Sequence, residues 1–334
     1  MSQSTVSRAL RDSRLVSEDT RKRVAEAASK LNYKVDVNAR NLRSRSSRTL
    51  ALLLCEDPGA GDSLINPFFL AMVGSITKAA GARGYDVLIS FQQSSGDWYA
   101  DYADSKRADG FVFLGYGDYL GYVEKIARLE EAEAPFITWG PVIEGQPGHF
   151  LGSDNVGGAR EAVAHLIGLG RRRIACLGDA TEHFPEFRQR HQGWLNAHRD
   201  AGLTADPALR VQAVNSEESG RAAALQLLDS GARFDAIFAA SDLIAFGAMR
   251  ALQERGLDVP RDVAVVGFDD LHAAAWTNPP LTTVRQDTVT AGALLVEQIL
   301  RLIRGEPAEP RLVPTRLVVR GSCGADHRRA APAE

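Results

Sequence analysis

From Thr49 onward the chain alternates short apolar runs with longer amphipathic segments, and this alternation restricts the fold more than any other feature of the sequence. A parallel strand buried on both faces reads as a short aliphatic or aromatic run, and joining two such strands requires a crossover, usually a helix. Candidate strands fall at 50–54, 87–90, 111–114, 136–139 and 150–153, with helices at 69–83, around 100–107 and at 121–131. A second series follows, with strands at 174–177, 210–214, 237–240 and 263–267 and helices near 186–201, 217–230 and 243–255. After Leu281-Thr282-Thr283-Val284-Arg285-Gln286, a helix at 289–303 and a strand at 311–319 complete the pattern. The expected class is α/β, with two similar halves, each a doubly wound parallel sheet. At 334 residues and 45% hydrophobic, the chain can build two or three units with real cores.

The first 48 residues have another character. They hold 12 Lys and Arg against 5 Asp and Glu, whereas the remainder holds 27 against 37. A basic head on an acidic body fits polyanion binding confined to one end, because neutralising phosphates supplies most nonspecific affinity for DNA. Met1 to Leu10 reads as a helix with Ser2 as N-cap, Val6, Ala9 and Leu10 turned inward, and Gln3, Ser4 and Arg8 turned outward. A helix in the major groove reads bases with its N-terminal residues, and Arg or Gln there carries the donors and acceptors that distinguish guanine and adenine. A second helix is expected at 18–31, with Ser17 as cap and Val24, Ala28 and Leu31 as its apolar stripe. Asn32-Tyr33 ends it, 37–43 is a possible short helix, and a Ser/Arg-rich joint spans 44–48.

Other chemistries find less support. Cys55, Cys176 and Cys323 are far apart and read as buried free thiols, and no Cys or His spacing suits a metal. No cofactor is expected: the glycines at 115, 117 and 121 are wrongly spaced for a dinucleotide fingerprint and no Walker lysine motif occurs. With neither a charged-then-apolar leader nor a bilayer-length run, the expectation is a cytoplasmic protein with no membrane partner. Gly61-Asp62-Ser63-Leu64 and Asp269-Asp270-Leu271-His272 match the two blocks of the GDSL hydrolases. There Ser63 would attack an ester, His272 would take its proton and Asp269 would orient the imidazole. The two blocks fall in different halves, however, which weighs against that fold.

Ligands of open parallel sheets bind beyond the carboxyl ends of the strands, so polar residues there are informative. Asp154, Ser241, Asp242, Asp269 and Gln286 follow or end strands, and Arg190 lies in a helix after one. With Phe68, Phe69 or Trp139 as flat walls, such a set suits the hydroxyls and apolar face of a sugar. Asp154 and Asp242 could equally cap helices, and Asp270 could be a turn residue.

Ser4-Thr5-Val6-Ser7-Arg8-Ala9-Leu10, Val16-Ser17 with Thr20-Arg21, Leu31-Asn32-Tyr33 and 39–42 together resemble the LacI/GalR family, and the likeness continues through Cys323. It implies a DNA-binding headpiece with a partial helix-turn-helix and a hinge helix at 1–47, followed by a two-lobed, periplasmic-binding-protein-like body. The lobes would be 48–170 with 287–310 and 171–286 with 311–323, followed by a disordered tail at 324–334. By the same resemblance the protein is a homodimeric repressor of operator DNA. Gln3, Ser4, Thr5, Ser7, Arg8, Asn32, Tyr33 and Ala39 would serve DNA binding, and Leu42 would wedge into the minor groove. The cleft residues Phe68, Phe69, Asp154, Arg190, Ser241, Asp242, Asp269 and Gln286 would take a carbohydrate-like effector. An exported sugar-binding protein is a further alternative that the basic head opposes. Relatives carry another helix and turn before the recognition helix, usually ending in Gly-Val-Ser, so the gene is expected to begin upstream of Met1, a GTG start codon being one origin for the misassignment.

Overall fold

The computed structural model describes residues 1–9, 15–31, 46–55, 65–92, 107–115 and 118–325, apart from the side chains of Gln3, Ser4 and Ser7. The chain divides into two compact units, Met1–Arg48 and Thr49–Glu334.

In the first unit, α1 (Gln3–Ala9) and α2 (Glu18–Lys30) pack through Ala9, Val16 and Val24, with Val6 against them. Ser2 caps α1 as expected, its Oγ accepting from the Thr5 amide at 3.2 Å. Ser17 precedes α2 with extended backbone, but its hydroxyl goes to Thr20 Oγ1 at 2.9 Å and not to a backbone amide. The apolar stripe of α2 is also narrower than expected: Val24 is buried while Leu31 is 78% exposed. The helix ends at Leu31, whose amide still bonds to Ala27 O, so this side chain sits past the packed face.

The second unit holds two six-stranded sheets. The first uses β1 (Thr49–Cys55), β2 (Asp86–Gln92), β3 (Gly110–Leu114), β4 (Phe136–Trp139), β5 (Phe150–Ser153) and β11 (Arg311–Val313), in the order β11-β5-β4-β3-β1-β2 and all parallel. The second uses β6 (Ile174–Leu177), β7 (Arg210–Val211), β8 (Ala236–Ala239), β9 (Ala264–Asp269), β10 (Thr282–Gln286) and β12 (Thr315–Val318), in the order β12-β10-β9-β8-β6-β7 with β12 alone antiparallel to its neighbour. Strands such as Gly110–Leu114 and Ala236–Ala239 are buried along their whole length because helices cover both faces.

On the first sheet, α3 (Pro67–Gly81) and α9 (Thr288–Ile303) bury Met72, Ile76, Leu295 and Ile299 on one face, and α4 (Tyr119–Glu131) buries Tyr122 and Ile126 on the other. On the second, α5 (Asn155–Gly168) and α6 (Pro185–Asp200) cover one face, with α7 (Glu217–Asp229) and α8 (Asp242–Glu254) on the other. No described helix is long and apolar enough to cross a membrane.

Two segments depart from the expected division. Residues 155–168, grouped above with the first half, pack on the second sheet: Ala159, Ala162, Val163 and Leu166 meet Trp194, Phe268 and Val284. The single strand expected at 311–319 splits at Pro314, leaving Arg311–Val313 on the first sheet and Thr315–Val318 on the second. Proline has no amide hydrogen for a ladder, which makes it a natural point for the chain to change sheets. The chain thus passes between sheets after Ser153, after Gln286 and at Pro314. Two of these crossings touch, since the Asp154 amide donates to Val313 O at 3.0 Å and Thr315 Oγ1 donates to Asp154 O at 3.3 Å. The segment expected as a helix around 100–107 lies largely outside the described residues, and the possible helix at 37–43 wholly so. Of the tail expected to be disordered at 324–334, Gly324 and Ala325 are instead placed, against Pro260 and the core of the second sheet, and 326–334 lie outside the described residues.

Helices α7 and α8 approach so closely that a Cβ at Gly247 would stand 1.9 Å from Glu217 O, and one at Gly220 would stand 2.3 Å from Ile244 O. Both obstacles are backbone, so neither can swing aside. Gly247→Ala should therefore destabilise this unit by about 3 kcal/mol, the upper end of ordinary overpacking. Urea denaturation of the two proteins checks it, and an unchanged midpoint would mean that the helices can separate freely.

Candidate functional site

Between the carboxyl ends of the two sheets lies a cleft of about 750 Å³, counting its open mouth. Its first-sheet wall is largely aromatic. Asn66 accepts from the Phe68 amide at 2.9 Å and so starts α3, which brings Phe68 and Phe69 to the cleft with ring centres 5.6 Å apart. Phe68 in turn stands 6.3 Å from Trp139 at the end of β4. Gly115, at φ +75°, lets the Phe69 ring come within 3.1 Å of where a Cβ would be. Phe184 and Phe187, 6.3 Å apart, supply the apolar part of the opposite wall.

The polar part is built around Arg190 on α6. Its Nε donates to Asn155 Oδ1 at 2.9 Å, Nη1 donates to Ala240 O at 2.5 Å, and the guanidinium lies 3.8 Å from the centre of the Phe268 ring. Nη1 also stands 3.6 Å from Asp269 Oδ1, an ion pair whose side chains are 7% and 5% exposed. Gln286 Nε2 donates to the same oxygen at 2.6 Å. Among the described residues no hydrogen bond engages Arg190 Nη2 or Asp269 Oδ2, so each keeps a free polar atom at the cleft. Burial pushes the Asp269 carboxyl up to about 6, against the opposing pull of Arg190 and Gln286. Burial likewise lowers Arg190, with Asp269 working against it.

Asp269 and Asp270 both have positive φ; +54° at Asp270 is a left-handed turn that Asp adopts readily, whereas +121° at Asp269 lies where a non-glycine residue is held only by its surroundings. The constraints are visible. Asp270 receives Arg285 Nε at 2.5 Å and Arg320 Nη2 at 2.6 Å. Asp242 accepts the Leu271 amide at 2.7 Å and the Thr283 hydroxyl at 2.5 Å.

Of the residues proposed for the cleft, Phe68, Phe69, Arg190, Asp269 and Gln286 converge on it. Asp154, Ser241 and Asp242 do not line it. Asp154 caps α5 through the Gly157 amide at 2.8 Å, and Ser241 caps α8 through Ile244 at 3.2 Å. Asp242, fully buried, holds the turn after β9, and burial together with nearby Asp269 raises its carboxyl well above the ordinary range. The structure adds Asn66, Asn155, Glu186, Phe187 and Asn215. Asn155 lies two residues beyond β5, and Asn215 directly follows the strand expected at 210–214, of which only Arg210–Val211 forms, so position after a strand marks both. Ser153 Oγ and Asn215 Oδ1 are buried without a hydrogen-bond partner among the described residues, an arrangement that a ligand donor would complete.

On α1, Arg8 is exposed and Thr5 half-buried; Gln3, Ser4 and Ser7 share that helix, while Asn32, Tyr33, Ala39 and Leu42 lie outside the described residues. The esterase arrangement is not assembled where it can be seen. Asp269 is engaged by Gln286 and Arg190, and His272 Nε2 instead accepts from Trp276 Nε1 at 3.4 Å. Ser63 lies outside the described residues.

The raised Asp269 carboxyl has a measurable consequence. Because its folded pKa lies above the unfolded one, the native state holds the extra proton between the two values, and stability contributed by that proton falls as pH rises through this window. A shift from 3.8 to about 6 corresponds to about 3 kcal/mol. Relative to Asp269→Asn, the wild type should lose about that much unfolding free energy between about pH 4 and about pH 7. Denaturant titrations at several pH values give the difference directly, and a pH-independent gap would show that the carboxyl titrates normally.

A model of bacterial regulatory proteins of the lacI family matches residues 1–36, and a periplasmic binding protein-like domain matches residues 163–323. The HTH-type transcriptional regulator CelR of Thermobifida fusca is 34% identical over 326 residues, covering 95% of this chain and 94% of the relative. The HTH-type transcriptional repressor CytR of Escherichia coli K12 is 31% identical over 335 residues, covering 97% and 94%. Among solved structures, a CelR–cellobiose complex superposes with a TM-score of 0.74 at 31% identity, covering 96% of each chain. The lac repressor dimer bound to operator and an anti-inducer does so with a TM-score of 0.79 at 27% identity, covering 97% of this chain and 96% of that one. These relatives are regulators and not enzymes, and their likeness spans head and body alike. The chain belongs to the LacI family of bacterial DNA-binding transcriptional regulators.

Proposed function

We propose that the protein is a cytoplasmic, homodimeric repressor whose operator affinity is set by a small, carbohydrate-like effector held in the cleft. The observation that carries this reading is the pairing of an aromatic wall, Phe68 and Trp139, with the fixed polar set of Arg190, Asp269, Asn155 and Gln286. A sugar presents an apolar ring face and a rim of hydroxyls. Rings suit the first, and the free Asp269 Oδ2 and Arg190 Nη2 can accept from and donate to the second. The buried oxygens of Ser153 and Asn215 add two acceptors that sugar hydroxyls would satisfy.

At the other end, Gln3, Ser4 and Arg8 of α1 would read bases, with Thr5, Ser7, Asn32, Tyr33 and Ala39 supporting the docked head. Leu42 from each of two hinges would enter the minor groove at the centre of a pseudo-palindromic operator. An effector that binds one arrangement of the lobes more tightly shifts the population of that arrangement, and the hinges read the shift.

Isothermal titration with cellobiose, the sugar in the solved CelR–cellobiose complex, and with a panel of neutral mono- and disaccharides tests the effector. Arg190→Ala and Asp269→Ala should each weaken the sugar that binds by at least about tenfold, the effect of losing a charge-assisted hydrogen bond. Operator affinity without effector should change little. Unaltered sugar affinity in both variants would remove the cleft assignment. For the hinge, Leu42→Ala should lower affinity for operator far more than for random DNA, because a wedge acts only on kinked DNA; equal losses would count against it.

A further inference from the structure

Asp118 and His183 stand on opposite sides of the cleft. Asp118 follows β3 of the first sheet and caps α4 through the Leu120 amide at 3.0 Å; His183 lies between β6 and α6 of the second. Their side chains meet, with His183 Nδ1 2.9 Å from both carboxylate oxygens. A carboxylate only accepts, so Nδ1 carries the hydrogen. A second link runs alongside, from the Tyr119 amide to His183 O at 3.2 Å.

Both partners are held before they meet. Tyr119 is tied within its own half through its hydroxyl to Gln146 Oε1 at 2.9 Å, and Gln146 Nε2 donates to Pro141 O. On the other side, the loop of His183 is closed by the Phe184 amide on Thr181 O at 3.3 Å and by Glu182 against Arg188 at 3.6 Å. Gly115 and Phe184, close in sequence to the two partners, line the cleft, which puts the contact at its rim. Burial opposes ionisation of Asp118, but the His183 and Leu120 hydrogen bonds outweigh it and hold the carboxyl below its usual range.

We propose that Asp118 and His183 form a clasp that holds the two halves together at the rim of the cleft and slows the exit of whatever the cleft contains. Both side chains are about half exposed, so the clasp is weak and reversible, as a gate on a regulator must be. Its effect on ligand exit rests on the cleft being the effector site; its effect on the lobes does not.

The test is therefore run first without ligand. Spin labels at Glu124→Cys on α4 and Gln192→Cys on α6, in a Cys55→Ser background, report the separation of the halves by pulsed electron resonance. His183→Ala should shift the ratio of short to long distances by roughly two- to fivefold, the range for a half-exposed ion pair. Asp118→Ser keeps a good helix cap and should give the same shift, and the double variant should go no further than either alone. An unchanged distance distribution in His183→Ala, or effects of the two variants that simply add, would overturn the clasp. In a second arm, stopped-flow tryptophan fluorescence, with Trp139 in the cleft wall as the expected reporter among the four tryptophans, should show cellobiose leaving His183→Ala faster by a similar factor. If neither cellobiose nor any sugar of the panel binds the wild type, that counts against the sugar reading, while the ligand-free distances still decide the clasp.

Discussion

A guanidinium buried as deeply as that of Arg190 must have its charge answered within the protein, and the answer organises the cleft. Asn155, Ala240 O, the Phe268 ring and Asp269 together meet it, and they come from three different places in the second half. None of these could drift without leaving the charge unpaired. Asp269 meets Arg190 at the end of β9, where the backbone turns through two residues of positive φ, and Asp242, Asp270, Arg285 and Arg320 hold that turn. Residues that never reach the cleft thus fix the two that do. The arrangement is costly at neutral pH, where Asp269 is ionised in a place that favours its neutral form. Strain of this kind is found at binding elements, and a ligand that satisfied the free carboxylate oxygen and guanidinium nitrogen would recover part of what folding gave up.

The chain crosses between the sheets at three points, and two of those are hydrogen-bonded to one another through Asp154. Motion of one half against the other therefore needs torsion changes in only a few residues, while each half moves as a packed body. Asp154 looked like a ligand from the sequence because it follows a strand. It follows that strand at a crossing, where capping α5 and bonding Val313 already occupy it.

The architecture was legible in the sequence because parallel strands buried on both faces leave an unmistakable apolar run, and the helices between them carry the complementary period. Expected and observed helices agree to within a few residues at Glu217–Asp229 and Thr288–Ile303. What periodicity could not show was the sheet to which a segment returns. The face of 155–168 would serve either half, and only its fit to Trp194 and Phe268 decides. The cleft was legible in the same partial way. Position after a strand marks a residue as near the ligand edge, but it does not separate a side chain left free, such as Asp269, from one spent on a cap, such as Ser241. That distinction depends on which backbone amides are unpaired nearby, a property of the folded chain. Leu31 failed for a related reason, since a helical stripe extends on paper past the residue at which the helix stops packing.

Charge is divided along this molecule as sharply as structure. Its basic surplus lies in the first 48 residues and its acidic surplus in the rest, so a DNA duplex attracts one unit and repels the other. An acidic body does not add to nonspecific affinity, which leaves the basic first 48 residues to supply it. Electrostatic attraction to DNA then rests on the first unit more than on any contact made by the body. Under the proposed reading, a ligand in the cleft would act on DNA binding through the first unit alone, because the acidic body offers the duplex no competing surface.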